Sequence, residues 1–278
     1  MQRFKEIFGN NKCKIIGMIH VNALPGTPRY GYRAWESTIE KVRKEAQLYK
    51  EHQVDGVLIE NMHDVPYVRD QKIGAETVAC MTHLAQIVRG IIPAETPCGV
   101  QVLACGNKHA LAVAKASDLQ FIRAEGYVFG HIGDEGYTDS CAGELLRYRK
   151  KIDAEDVMVF TDLKKKHSSH AITADISLLE TAKAAEFFLS DGVIVTGTAT
   201  GQAASSDDMD ALTGKVKVPL LVGSGVTKDN ISDYFDKADA VIIGSHFKHN
   251  GNWLEDIDES AVEGFMRSVC KLRSGDEK

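Results

Sequence analysis

Nothing in this sequence is suited to crossing a bilayer, gripping a duplex or closing a disulfide framework. No apolar stretch is long enough to span a membrane. Basic residues form no long run, and the densest cluster, Lys164-Lys165-Lys166-His167, is too short for a duplex-binding surface. With a formal net charge of −6, nucleic acid is not an expected partner. The six cysteines, Cys13, Cys80, Cys98, Cys105, Cys141 and Cys270, make no Cys-x-x-Cys pair. That spacing argues against a zinc knuckle or a thioredoxin-type motif and suits a reducing compartment. No His-x-x-x-His or Glu-x-x-His spacing occurs either, so a divalent metal stays open but unsupported, and no cofactor is expected. The cytoplasm is the expected compartment. The alternative is mitochondrial, with residues 1–12 as a presequence, because Arg3, Lys5 and Lys12 outnumber Glu6.

What the chain does contain is alternation. Short apolar runs rich in Val and Ile fall at 14–21, 56–60, 99–103, 119–124, 157–162, 192–196, 219–222 and 240–243. Their near-continuous hydrophobicity is that of parallel strands covered on both faces. Between them lie helical stripes such as Trp35, Ile39, Val42, Ala46 and Tyr49, or Val78, Met81, Ala85, Val88 and Ile91. Val262, Phe265, Val269 and Leu272 repeat the pattern near the C-terminus. Eight strand–helix units in 278 residues, with no Gly/Ser/Pro-rich linker, predict one (β/α)8 barrel domain over 1–278, the barrel proper spanning about 13–273. An open α/β sheet is the alternative. Two insertions, 22–34 and 127–141, follow strands one and four and so fall on the face where barrels place their chemistry. Arg29, Tyr30 and Tyr32 of the first can close over a ligand.

Strand seven runs into Gly223-Ser224-Gly225-Val226, with a helix expected from Thr227, and strand eight into Gly244-Ser245. Glycine at both turns lets backbone N–H groups approach an anion, and Ser224 and Ser245 add hydroxyls. The loops after the last two strands are the recurrent phosphate position of such barrels. A phosphorylated small molecule is therefore the expected ligand. Lys248 is either a further anion contact or a solvated loop lysine.

Polar residues end the other strands. Asp162, Lys164 and Lys166 share a face in an extended chain, where a carboxylate and an ammonium can act as acid and base or as a clamp. Lys164 and Lys165 read better as solvated. Arg123 and Glu125 also share a face, as an internal ion pair or as an anion clamp beside a base. Glu60 is the best-placed candidate base, Gln101 a candidate contact, and His20 either a ligand group or a satisfied core histidine. Convergence of His20, Glu60, Asp162 and His167 would be needed for a metal. After strand six, Thr196-Gly197-Thr198-Ala199-Thr200-Gly201 offers hydroxyls to a sugar or phosphate.

The opening Gly17-Met18-Ile19-His20-Val21-Asn22-Ala23-Leu24-Pro25-Gly26-Thr27-Pro28 resembles that of the BtpA/SgcQ family. Asp55-Gly56-Val57-Leu58-Ile59-Glu60-Asn61, Phe121-Ile122-Arg123, Arg147-Tyr148-Arg149, Asp162 with Lys166-His167, Val195-Thr196-Gly197 with Thr200-Gly201, and Val222-Gly223-Ser224-Gly225-Val226 extend the likeness along the chain. Thr161-Asp162-Leu163-Lys164-Lys165 departs from it, being less apolar than the family leads one to expect. The resemblance implies a ribulose-phosphate-binding-type barrel. It associates some members with photosystem I biogenesis and others with sugar-uptake genes. Two functions follow as expectations. The first is an isomerase, epimerase or lyase of a sugar phosphate or nucleoside-like metabolite. In it Glu60 or Asp162 takes a proton, Lys166 and Arg123 stabilise negative charge, and His20 assists. Gly223, Ser224, Gly225, Gly244 and Ser245 hold phosphate, and Gln101, Glu125, His167, Thr196 and Gly197 touch substrate. The second is a non-catalytic assembly factor on the same scaffold. Homo-oligomerisation stays open.

Overall fold

The computed structural model describes residues 1–197 and 201–275. In chain order the strands are β1 Lys14–His20, β2 Gly56–Glu60, β3 Cys98–Gln101, β4 Phe121–Ala124, β5 His131–Gly133, β6 Gly136–Thr138, β7 Met158–Asp162, β8 Ser168–Ser169, β9 Gly192–Val195, β10 Leu220–Val222 and β11 Ala240–Ile243. The helices are α1 Gln2–Phe8, α2 Trp35–Glu51, α3 Ala75–Ile91, α4 Asn107–Ala116, α5 Ala142–Lys151, α6 Leu178–Phe187, α7 Ser206–Leu212, α8 Ile231–Phe235 and α9 Glu259–Ser274. Eight strands close a parallel barrel in the order β1-β11-β10-β9-β7-β4-β3-β2. Each expected apolar run lies on one of these strands, and the three expected stripes lie on α2, α3 and α9.

The period of two along a strand sends alternate side chains to opposite faces. Ile15, Ile19, Val57, Ile59, Val100, Ile122 and Val159 therefore join the cluster beneath the helices. Ile16, Met18, Leu58, Phe121, Met158, Phe160, Ile194 and Ile242 fill the barrel interior. Continuing that alternation upward places His20, Glu60, Gln101, Arg123 and Asp162 in one inward-facing layer at the C-terminal mouth. All five are buried.

Residues 1–12 are not a loose leader in this fold. Helix α1 inserts Phe4 and Phe8 at the opposite end of the barrel, where Phe4 and Phe8 stack at 4.6 Å and Phe8 meets Phe121 at 5.6 Å. The insertion 127–141, read from sequence as turns, pairs β5 with β6 as an antiparallel hairpin. Strand β8 from the loop after β7 joins its other edge. The loop 22–34 leaves Tyr32 88% exposed, so that ring does not close over the mouth. Among the described residues no helix is long and apolar enough to cross a membrane.

Candidate functional site at the barrel mouth

A cavity of about 120 Å³ opens in the mouth between two unlike walls. One wall is carried by β1, β2, β4 and the loop after β7, and consists of His20, Glu60, Arg123 and Lys166. The other is the double turn Gly223–Thr227 and Gly244–His246. Nine of the residues expected from sequence thus face one space: the four polar side chains together with Gly223, Ser224, Gly225, Gly244 and Ser245.

The double turn is built to present backbone donors. Gly225 has φ of +71°, and a Cβ there would lie 2.1 Å from the Ala203 nitrogen, so the position combines left-handed backbone with close approach. Among the described residues, the N–H groups of Ser224, Gly225, Val226, Ser245 and His246 have no acceptor. Buried N–H groups are rarely left unpaired, and a row of them makes an anion-binding concavity. Ser224 Oγ accepts from Gly201 N–H at 3.2 Å, which leaves its own proton to donate. The helix expected from Thr227 starts instead at Ile231, because Asn230 Oδ1 accepts from Thr227 N–H at 2.7 Å. Thr227 N–H is therefore committed.

On the opposite wall, Arg123 holds Asp162 in a bidentate pair, with Nη2 3.1 Å from both carboxylate oxygens and Nε 3.2 and 3.3 Å away. Its Nη1 reaches the Gly223 carbonyl at 3.5 Å, tying this pair to the double turn. Burial works against the guanidinium charge, yet Asp162 and then Glu60 hold Arg123 above its ordinary range. Asp162 is thus spoken for, whereas Glu60 is not. Glu60 accepts no hydrogen bond on its side chain among the described residues, and its closest polar neighbour is His20 Nε2 at 3.8 Å. Burial raises its carboxyl to a pKa of about 6, against the pull of Arg123 and Lys166. His20 is held neutral, first by burial and then by Lys248, and its Nδ1 has no partner. Lys166, half-buried, is pushed down by burial and by Arg123.

The remaining expected residues fall elsewhere. Glu125, expected beside Arg123, lies one residue past the end of β4 and turns away to accept from Cys105 N–H at 3.0 Å. It lines a separate, larger cavity of about 310 Å³ with Glu135, Thr138 and Asn107. Size does not select the site here, since that larger space is walled by side chains already paired with one another. Lys165, expected to be solvated, is 7% exposed and bridges Glu135 at 3.2 Å and Glu125 at 3.9 Å. Lys164 donates to the Ile176 carbonyl at 2.9 Å. Lys248 is neither an anion contact nor a solvated lysine: it is fully buried against Glu45 of α2 at 2.6 Å. His167 is exposed on the turn after β7. Thr196 and Gly197 support the double turn from below, the Thr196 Cγ2 lying 2.9 Å from where a Gly223 Cβ would be. Thr198, Ala199 and Thr200 of the hydroxyl-rich loop lie outside the described residues. Of the four groups considered for a metal, only His20 and Glu60 converge. Gln101 sits in the same layer as Glu60, to which it is paired in register. Sequence reasoning missed Met62 and His246, which also line the cavity and carry no motif of their own.

Fold and mouth together define a (β/α)8 protein whose polar residues collect at the C-terminal ends of its strands. The chain belongs to the BtpA family, which it matches over residues 11–271. An uncharacterized mitochondrial protein of Caenorhabditis elegans is 45% identical over 96% of this chain and 97% of its own length. Photosystem I biogenesis protein BtpA of Synechocystis is 31% identical, over 92% of this chain and 88% of its own. Among solved structures, phosphoribosyl anthranilate isomerase from Thermus thermophilus superposes with a TM-score of 0.58 at 10% identity, covering 94% of this chain and all of that one. KGPDC from Streptococcus mutans, in complex with ribose-5-phosphate, gives 0.58 at 9% identity, covering 93% and 98%. At such identities these likenesses show the barrel fold.

Proposed function

We propose that the mouth binds a small phosphorylated metabolite and catalyses proton abstraction beside its carbonyl, as an isomerase, epimerase or lyase. The observation that carries this reading is the uncommitted, buried carboxylate of Glu60 facing a double turn of unpaired N–H groups. The turn takes the phosphate. Glu60 takes the proton, and a pKa of about 6 leaves it ionised at neutral pH yet more basic than an ordinary carboxylate. Lys166 and Arg123 face the same cavity and stabilise the negative charge that develops on the carbonyl oxygen. Asp162 fixes the Arg123 fork rather than moving a proton. The solved neighbours support the ligand class, since one is named for phosphoribosyl anthranilate and another for its complex with ribose-5-phosphate.

Thermal-shift screening against phosphorylated metabolites, followed by incubation of each hit in D2O, tests the proposal. A ligand of the native state raises its melting temperature by mass action. We expect a hit whose C–H exchanges for deuterium with the wild type and not with Glu60→Gln. A broad panel without a shift would overturn it. The name of the Synechocystis relative favours a second reading, an assembly factor, under which Glu60→Gln retains full activity in cells. For the compartment, the nematode relative favours the mitochondrial alternative over the cytoplasm, which imaging of a C-terminally tagged chain decides.

A further inference from the structure

The inward-facing layer contains one side chain whose polar atoms no described residue uses. Gln101 is 2% exposed, and its Oε1 has no hydrogen-bond partner. Among the described residues its Nε2 has none either, so exchanging the two ends of the amide changes nothing. It ends β3 between two groups of the candidate machinery. The register pairs it with Glu60 on one side. On the other, the register that joins Val100 to Ile122 continues to Arg123. The layer directly beneath is apolar, formed by Leu58 and Phe121. A leucine or methionine would fill the position with no polar group to satisfy. Burying an unpaired amide is unfavourable, so its retention at the mouth points to a partner that arrives from outside. His20 Nδ1, buried and unpartnered in the same layer, makes the same demand.

We propose that Gln101 reads a hydroxyl group of the ligand, on the carbon chain next to the atom that Glu60 deprotonates. This rests on the phosphorylated-metabolite reading and narrows it to a polyhydroxylated chain, a sugar phosphate rather than an alkyl or aryl phosphate. Gln101 is then a specificity-determining residue. A site built to hydrogen-bond a hydroxyl rejects an analogue that lacks it, because the buried amide is left unpaired in that complex.

Titration calorimetry with inorganic phosphate, D-ribose 5-phosphate and n-pentyl phosphate separates the alternatives, using wild type and the near-isosteric Gln101→Met. We expect wild type to bind D-ribose 5-phosphate at least about tenfold more tightly than n-pentyl phosphate. In Gln101→Met that preference collapses while the affinity for inorganic phosphate stays unchanged, and the melting temperature equals or exceeds that of wild type. Equal affinities in wild type, or a preference that survives in Gln101→Met, would refute the role of Gln101 while leaving the phosphate site standing. A melting temperature well below wild type would do the same, by showing that the amide serves the fold. If none of the three compounds binds wild type, the phosphorylated-metabolite reading falls and this inference falls with it.

Discussion

Replacing Glu60 by glutamine should make the protein more stable at neutral pH while removing the proposed base. A carboxyl whose folded pKa lies above its unfolded value binds its proton more tightly in the fold. Its favourable contribution is therefore complete below the unfolded value and is lost as pH rises through the folded one. For Glu60 those values are 4.5 and about 6. The gap corresponds to about 2 kcal/mol by which the ionised side chain burdens the fold above pH 6.5 or so. Glutamine keeps the shape of the protonated form and carries no charge, so it escapes that burden. Urea denaturation of wild type and Glu60→Gln from pH 4 to pH 8 measures the difference. The two should coincide near pH 4 and separate between pH 4.5 and 6.5. The variant should then lead by about 2 kcal/mol on the plateau. A variant less stable than wild type at pH 8 would mean that the carboxylate is held by a favourable ion pair, with Lys166 or Arg123. It would then be structural, and the assignment of Glu60 as base would fail.

Two further perturbations test the framework around that site. Lys248→Met strands a buried Glu45 carboxylate and should cost about 3–5 kcal/mol in urea denaturation, most of it recovered in Glu45→Gln/Lys248→Met. Recovery is expected because burial pushes Glu45 up and Lys248 down, each opposed by the other. A double variant as unstable as the single one would show that Lys248 acts through some other contact. Gly225→Ala, whose Cβ would meet the Ala203 nitrogen at 2.1 Å, should abolish binding of inorganic phosphate in calorimetry. Gly136→Ala, also at positive φ but with nothing within 4 Å, should bind as wild type does and lose only about 1 kcal/mol of stability. Equal effects of the two would place the loss in backbone strain rather than in the shape of the turn.

The barrel was legible because its strands obey a local rule. Continuous Val/Ile runs mark elements covered on both faces, and each of the eight runs meets a barrel strand, with its ends moved by at most two residues. The double turn was legible for the same reason, since Gly223–Gly225 and Gly244-Ser245 directly follow β10 and β11. Pairings across the fold were not. Alternation placed Glu125 with Arg123, but β4 ends at Ala124, so alternation no longer applies to residue 125. The true partner of Arg123 is 39 residues away on the neighbouring strand, and that of Lys248 is 203 residues away on α2. No spacing encodes either. Lys165 and Lys248 both looked solvated because a lone lysine in a polar stretch usually is, and only the closed fold brings a carboxylate to each. Helix α1 was missed because its two buried aromatics, Phe4 and Phe8, are one helical turn apart in a segment too short to show a repeating stripe.

The interior of the barrel separates what serves the fold from what serves the ligand. Its lower layers are apolar and aromatic and are closed from below by Phe4 and Phe8. Its top layer replaces them with His20, Glu60, Gln101, Arg123 and Asp162, all buried. Were stability the only requirement, apolar side chains would suit that layer as they suit those beneath, because buried polar groups are tolerated only when paired. Within the layer, Arg123 and Asp162 compensate each other, and they also fix the orientation of the fork toward the double turn. Glu60, Gln101 and His20 Nδ1 are left without hydrogen-bond partners among the described residues. An assembly factor that used only the outer surface of the barrel would gain nothing from this arrangement. An enzyme gains a base, an orienting amide and a fixed cation in one desolvated layer opposite an anion-binding turn, which is why the catalytic reading outranks the scaffold.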